Sequence, residues 1–238
     1  MLEHIFSKLR KDPLGLIHRG LHKTIIGPLK YGMVDDYDAH RYWYDRLSKY
    51  GNSIQGVGNE ALSGQETKTR YKEAAQAFTA LCRGADLDFP SVRVLEMGCG
   101  TGFYTQLLHH FGAKNYVGVD ITDVLFPTLR KRFPQFAFLR TDMTSDLIEG
   151  EFDLIVMIDV LQHIVTEGKL AFGMENVKNC LSADGLFVVA PIDQTSKRYF
   201  FYLRSWSLED MKQRFPGYIF SDLVPFREGY LLIIRKPY

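Results

Sequence analysis

Between Val94 and Thr105 the chain reads VLEMGCGTGFYT: an apolar run interrupted by Glu96, then glycine at every second position, Gly98, Gly100 and Gly102. Glycine lets a ligand approach the main chain, and an apolar run before it with a helical pattern after it places the three at a strand-to-helix turn. The dinucleotide fingerprint GxGxxG needs its third glycine where Phe103 stands. A glycine turn opening a helix still offers N–H groups to a pyrophosphate. Glu96, two residues before Gly98, opposes a diphosphate and suits a ligand with a cationic amine. A Walker loop is excluded, because no Lys-Ser/Thr follows the glycines.

The elements that must carry these residues fall into two zones that part near residue 90. From Pro90 onward, β-rich runs at Arg93–Met97, Tyr116–Val119, Phe136–Leu139, Leu154–Ile158 and Leu186–Ala190 alternate with helical patterns. The helices are expected at Gly102–Phe111, Val124–Phe133, Glu167–Cys180 and Leu208–Phe215. Alternation of this kind builds βαβ units and a parallel sheet. YIFSDLVPF and GYLLIIRKPY, joined by the tight Arg227-Glu228-Gly229, read instead as a closing hairpin. The expected fold is therefore α/β: a doubly wound, mostly parallel sheet of seven strands, the last antiparallel, over residues 90–238. Residues 1–89 read as helices forming a cap or lid, with aromatics Tyr37, Tyr42, Trp43 and Tyr44 crowded into one of them.

Composition bounds the function. Lys and Arg number 29 against 28 Asp and Glu, so the chain as a whole offers no nucleic-acid footprint. Cys82, Cys99 and Cys180 match neither a disulfide framework nor a metal-binding CxxC; they read as reduced core thiols of a cytoplasmic protein. No run approaches the length of a membrane span, and Met1 to Lys11 carries charge where a signal peptide would be apolar. Residues 1–30 are basic and amphipathic, with Lys8, Arg10, Lys11, Arg19, Lys23 and Lys30. Such a segment either rests on an anionic membrane surface or packs on its own domain or a second subunit.

The ExGxGxG spacing after a buried strand resembles motif I of the class I S-adenosylmethionine-dependent methyltransferases. Further stretches resemble the same family in order: VGVDIT, FLRTDMTS, FDLIVMIDVLQHI and LSADGLFVVA, so that the likeness runs from about Pro90 to Tyr238. The resemblance implies S-adenosylmethionine as cofactor and S-adenosylhomocysteine as product. It implies that Glu96, Gly98, Gly100 and Gly102 cradle the methionine part, with Glu96 reaching its amine through water. Asp120, with Ile121, would hold the ribose hydroxyls, and Asp142, with Met143, the adenine. Asp159 would contact substrate or the cofactor amine. His163, just beyond the fourth strand, is the candidate general base, because imidazole titrates near neutrality; a packed core histidine is the alternative.

HRYWYDRLSKYGNSIQGVGNEALSGQETKTRY resembles the segment that precedes motif I in bacterial glycan and natural-product methyltransferases and, more weakly, in protein α-N-terminal methyltransferases. That likeness implies Trp43, Gly56, Gly58 and Arg70 near the cofactor, Arg70 pairing with its carboxylate; a helix-surface Arg is the alternative. After the fifth strand, Asp193, Lys197, Arg198, Tyr199, Tyr202 and Arg204 would form a cationic, aromatic wall for an acceptor. No Asn-Asp-Asn-like acid pair for gripping an N-terminal amine is present there. The expected activity is O-methylation of a sugar, glycan or other small acceptor. The alternatives are methylation of a peptide N-terminus and a silent, cofactor-binding scaffold.

Overall fold

The apolar runs around Leu95, Ile155 and Val188 are buried on both faces, as strands of a parallel sheet covered by helices must be. The computed structural model describes residues 20–53, 64–85 and 87–237, with Leu14, Gly15, Gly56 and Leu62. Gly58 and most of residues 1–19 lie outside the described residues. Ten strands are described: β1 (Arg93–Met97), β2 (Asn115–Asp120), β3 (Ala137–Arg140), β4 (Phe152–Ile158), β5 (Leu181–Ile192), β6 (Lys197–Phe200), β7 (Leu203–Ser205), β8 (Ile219–Phe220), β9 (Val224–Phe226) and β10 (Gly229–Arg235). The helices are α1 (Gly27–Tyr31), α2 (Ala39–Tyr50), α3 (Gly64–Gly84), α4 (Phe103–His110), α5 (Phe126–Arg132), α6 (Glu167–Cys180) and α7 (Leu208–Arg214).

The sheet runs β3-β2-β1-β4-β5-β10-β8, with β9 also paired to β10. Strands β1 to β5 are parallel, and β10 is antiparallel to β5. The order reverses between β1 and β4, the switch point beyond which ligands bind in open α/β sheets. The sheet has eight strands where the sequence reading expects seven. The stretch expected as one hairpin arm splits at Ser221, whose Oγ accepts from Ile233 N (3.0 Å) while its N–H donates to Ile233 O (3.0 Å), leaving β8 and β9 as separate pieces on β10. Strand β5 also starts earlier than expected: Leu181 pairs with Phe152 and Leu186 with Leu154, so Ser182–Gly185 bulges inside the strand instead of forming a turn before it.

Two cores flank the sheet. Helix α3 places Tyr71, Ala74, Phe78 and Cys82 on one buried stripe, and Phe78 and Cys82 join Val94, Leu108 and Phe138 in one cluster. Met97, Met174, Phe187 and Trp206 anchor the other. A third, smaller cluster is aromatic and joins Tyr31, Tyr37 and Tyr42 of the N-terminal segment to Phe201, at the turn between β6 and β7. The Phe201 ring lies 5.5 Å from Tyr37 and 5.9 Å from Tyr42, both edge-on. Among the described residues no helix is long and apolar enough to cross a membrane.

Candidate active site

Strand β1 delivers Glu96 and Met97 to the carboxyl edge of the sheet, and the chain must then turn into α4. It does so through three glycines in the left-handed region, Gly98 (φ 79°), Gly100 (φ 48°) and Gly102 (φ 76°). A side chain at Gly98 would run into Val160, and one at Gly102 into Leu129. The N–H groups of Gly98 and Cys99 donate to Val119 O at 2.7 and 3.0 Å, tying the loop to the end of β2. Above it opens a cleft of about 1060 Å³.

Four acids border this cleft, Glu96, Asp120, Asp142 and Asp159. Asp120, at the end of β2, accepts from Gly100 N (2.9 Å) and Thr122 N (3.1 Å). Glu96 accepts from Tyr116 OH (2.6 Å) and Thr105 Oγ1 (2.8 Å) through a single oxygen, Oε2. Burial pushes the Glu96 carboxyl up to about 7; burial also raises Asp120, against the pull of its backbone donors. Among the described residues neither forms an ion pair. Asp142 spends one oxygen on Thr144 N (2.9 Å) and Thr144 Oγ1 (2.7 Å). Tyr37 and Tyr104 border the same cleft, and their hydroxyls are buried without a hydrogen-bond partner among the described residues. Buried carboxylates lacking counter-ions, beside bare backbone, fit a ligand that brings a cation and hydroxyl donors and carries no phosphate.

A second cavity, of about 1410 Å³, adjoins the first, and Trp43, Tyr71, Asp159 and His163 line both. Helix α2 brings Trp43; its start is fixed by Asp38, which accepts from Arg41 N (2.9 Å). The turn after β4 brings Asp159 and His163. His163 Nδ1 lies 3.1 Å from Tyr202 O. A carbonyl only accepts, so Nδ1 carries the proton and Nε2 keeps its lone pair. Trp43 packs edge-on at 4.8 Å from the imidazole centre, and burial pulls the His163 pKa down to about 4, which keeps the ring neutral.

Asp159 is gripped by Arg227 from the β9–β10 turn, Nη1 donating to Oδ1 (2.6 Å) and Oδ2 (2.8 Å). Both residues lie at positive φ, 63° for Asp159 and 53° for Arg227. Non-glycine residues held there cluster at functional sites, because such a conformation persists only where the surroundings impose it. The Arg227 guanidinium also lies over the Tyr71 and Phe226 rings, at 4.9 and 5.1 Å.

Of the residues singled out in the sequence, Glu96, Gly98, Gly100, Asp120, Ile121, Asp142, Met143, Asp159, His163 and Trp43 all border the first cleft. Gly102 stands behind it as the residue before α4. Arg70 stands apart: it lines the second cavity and pairs with Glu228. Asp193, Tyr199, Tyr202 and Arg204 line that cavity too. Arg198 turns away and donates to Val165 O (3.0 Å). Tyr104, which the sequence leaves between helix packing and ligand contact, borders the first cleft. Tyr71 and Arg227 are not singled out by the sequence; for Arg227 the available signal is an arginine in a two-residue hairpin turn, where glycine or asparagine is usual.

Residues 94–185 match the methyltransferase domain family. A highly reducing polyketide synthase of Gibberella fujikuroi is 34% identical over 146 residues, which are 54% of this chain and 6% of that protein. The human eEF1A lysine and N-terminal methyltransferase is 28% identical over 83 residues, 33% of this chain and 12% of that protein. The chain thus spans a small fraction of these relatives. Among solved structures, the DhpI–SAH complex superimposes with a TM-score of 0.62 at 17% identity, covering 84% of this chain and 96% of that one. The glycine loop and the strand-end acids lie in the residues that match, so residues 94–185 form a methyltransferase domain, and the sheet around them has the fold of the S-adenosylhomocysteine-bound structure.

Proposed function

We propose that the chain methylates an oxygen of a sugar-like or other small acceptor bound in the second cavity. The observation that carries this reading is the shared wall of Trp43, Tyr71, Asp159 and His163, where the two cavities meet. Bound in the first cleft, S-adenosylmethionine supplies an electrophilic methyl on a positively charged sulfur. Glu96, with its raised pKa, answers that positive charge, Asp120 and Ile121 hold the ribose, and Asp142 and Met143 hold the adenine. Trp43 and Tyr71 exclude water from the junction. His163, neutral and with Nε2 unprotonated, takes the proton from the acceptor hydroxyl. Asp159 has both oxygens on Arg227, so it positions that arginine and is a poor proton acceptor. Arg70, drawn to Glu228, serves the acceptor rather than the cofactor carboxylate. Residues 1–89 act as a cap through Tyr37, Trp43 and Tyr71.

The second cavity carries Lys23, Arg46, Arg70, Arg204 and Arg227 against Asp159, Asp193 and Glu228. This cationic surplus supports a hydroxyl over an ammonium acceptor, and peptide N-terminal methylation is the second reading. The test is label transfer from S-adenosylmethionine to a panel of glycosides, phenols, hydroxy acids and short peptides. Methylated hydroxyls are expected. Label on a peptide amine would overturn the acceptor assignment, and silence on every compound despite tight S-adenosylhomocysteine binding would favour the scaffold reading.

A further inference from the structure

The turn between β9 and β10 aims two opposite charges at the second cavity. Arg227 uses only Nη1 on Asp159, while its Nε and Nη2 are buried and have no hydrogen-bond partner among the described residues. Nε–H and Nη2–H point the same way on a guanidinium and form the fork that takes both oxygens of a carboxylate or phosphate. Leaving buried donors of this kind unpaired is costly. Beside it stands Arg70, close enough that the positive charge of Arg227 helps pull its pKa down, after burial itself. The partner of Arg70 is Glu228, whose side chain is 75% exposed while that of Arg70 is 23% exposed. The pair thus joins a largely buried cation to an acid at the cavity mouth.

We propose that this pair of arginines is the receptor for an anionic oxygen group, carboxylate or phosphate, on the acceptor, and that Glu228 is an internal stand-in which that group displaces. The inference rests on reading the second cavity as the acceptor site. The Nε–Nη2 fork of Arg227 takes two oxygens of the anion, and Arg70 exchanges its Glu228 partner for a third. Asp159 holds the receptor in place from the other side, which gives a reason for positive φ at both ends of that ion pair. The anion is thereby anchored next to the wall shared with the cofactor cleft, and the rest of the acceptor extends along Tyr199 and Tyr202.

The experiment titrates inorganic phosphate and, separately, acetate into the S-adenosylhomocysteine-loaded protein by calorimetry. One saturable site is expected for at least one of them, and the tighter arm tells phosphate from carboxylate recognition. Arg227→Lys keeps a cation on Asp159 and removes the fork; it should weaken the anion about tenfold. Glu228→Gln removes the stand-in and should tighten the anion by about threefold or more, an effect a purely structural ion pair would not produce. Lys212→Gln, on the exposed face of α7, should change nothing. The proposal is overturned if neither anion binds at tens of millimolar, if Glu228→Gln weakens binding, or if Lys212→Gln weakens it as much as Arg227→Lys. Failure of S-adenosylhomocysteine itself to bind would instead overturn the methyltransferase reading.

Discussion

The two cavities that meet at His163 are built by opposite means. The cofactor cleft is made of main chain and short acids at strand ends: Gly98, Gly100, Glu96, Asp120 and Asp142 come from three neighbouring parallel strands and the turns that follow them. The second cavity, proposed for the acceptor, is made of long side chains from scattered places: Arg46 of α2, Arg70 of α3, Tyr199 and Arg204 of the β6–β7 hairpin, and Arg227 of the last turn. The first wall is fixed by the packing of a sheet buried on both faces. The second is fixed by ion pairs and ring contacts between elements that the sheet does not hold in register. One wall suits a constant ligand; the other can change its ligand by exchanging a few surface-derived side chains.

The comparison breaks most severely at Asp120. Asp120→Ala removes the acid that orders Gly100 and Thr122 and the two charge-assisted hydrogen bonds proposed to the ribose, each about 1.5–3 kcal/mol. Affinity for S-adenosylhomocysteine, measured by calorimetry, should fall a hundredfold or more; a loss below about threefold would place the ribose elsewhere. His163→Ala should leave that affinity unchanged and lower turnover by about a hundredfold or more, as loss of a general base does. Because the folded pKa of His163 is depressed to about 4, it is a proton acceptor throughout the neutral range. Its contribution to stability is intact above the unfolded value near 6.5 and is lost as pH falls through 4. A substitution that unfolds the chain would show a packing role instead.

How much of this could be read along the chain follows from the same contrast. The wall of the first cleft was legible because its residues sit at the ends of continuous apolar runs, so that the positions of Glu96, Asp120 and Asp159 follow from counting along a motif. Strand β1 and helix α6 have the very limits expected. The β6–β7 hairpin was not foreseen, since its residues alternate only weakly and its stability comes from Phe201 packing on tyrosines about 160 residues earlier in the chain. The pairing of Arg227 with Asp159 spans 68 positions, and no local spacing encodes it. Bulged β5 misled for a local reason: Asp184-Gly185 carries turn chemistry inside a strand.

A finer distinction comes from Glu96→Gln. A raised carboxyl pKa means the folded chain holds its proton more tightly than the unfolded one, so stability is full below about 4.5 and declines as pH rises through about 7. The amide avoids that decline, worth up to about 3 kcal/mol, so the ligand-free variant should resist denaturant better than the parent at pH 8 and no better at pH 4. Its affinity for S-adenosylmethionine should nevertheless fall about tenfold. Opposite signs in the two measurements mark an acid kept for its ligand; matching losses would mark a structural one. The smallest effect is expected beside the second cavity, where Asp38→Ala removes the cap of α2 and costs about 1 kcal/mol. Hydrogen exchange should quicken over Ala39–Tyr50 and stay unchanged in β1 and β4.

On the proposed function, the methyl crosses between the two cavities at the wall of Trp43, Tyr71, Asp159 and His163. A crystal structure of the S-adenosylhomocysteine complex tests it most directly. The ribose hydroxyls are expected on Asp120, and the sulfur facing that wall, open toward the second cavity. A sulfur turned toward Met143 and Thr144, with the wall closed behind it, would contradict the account.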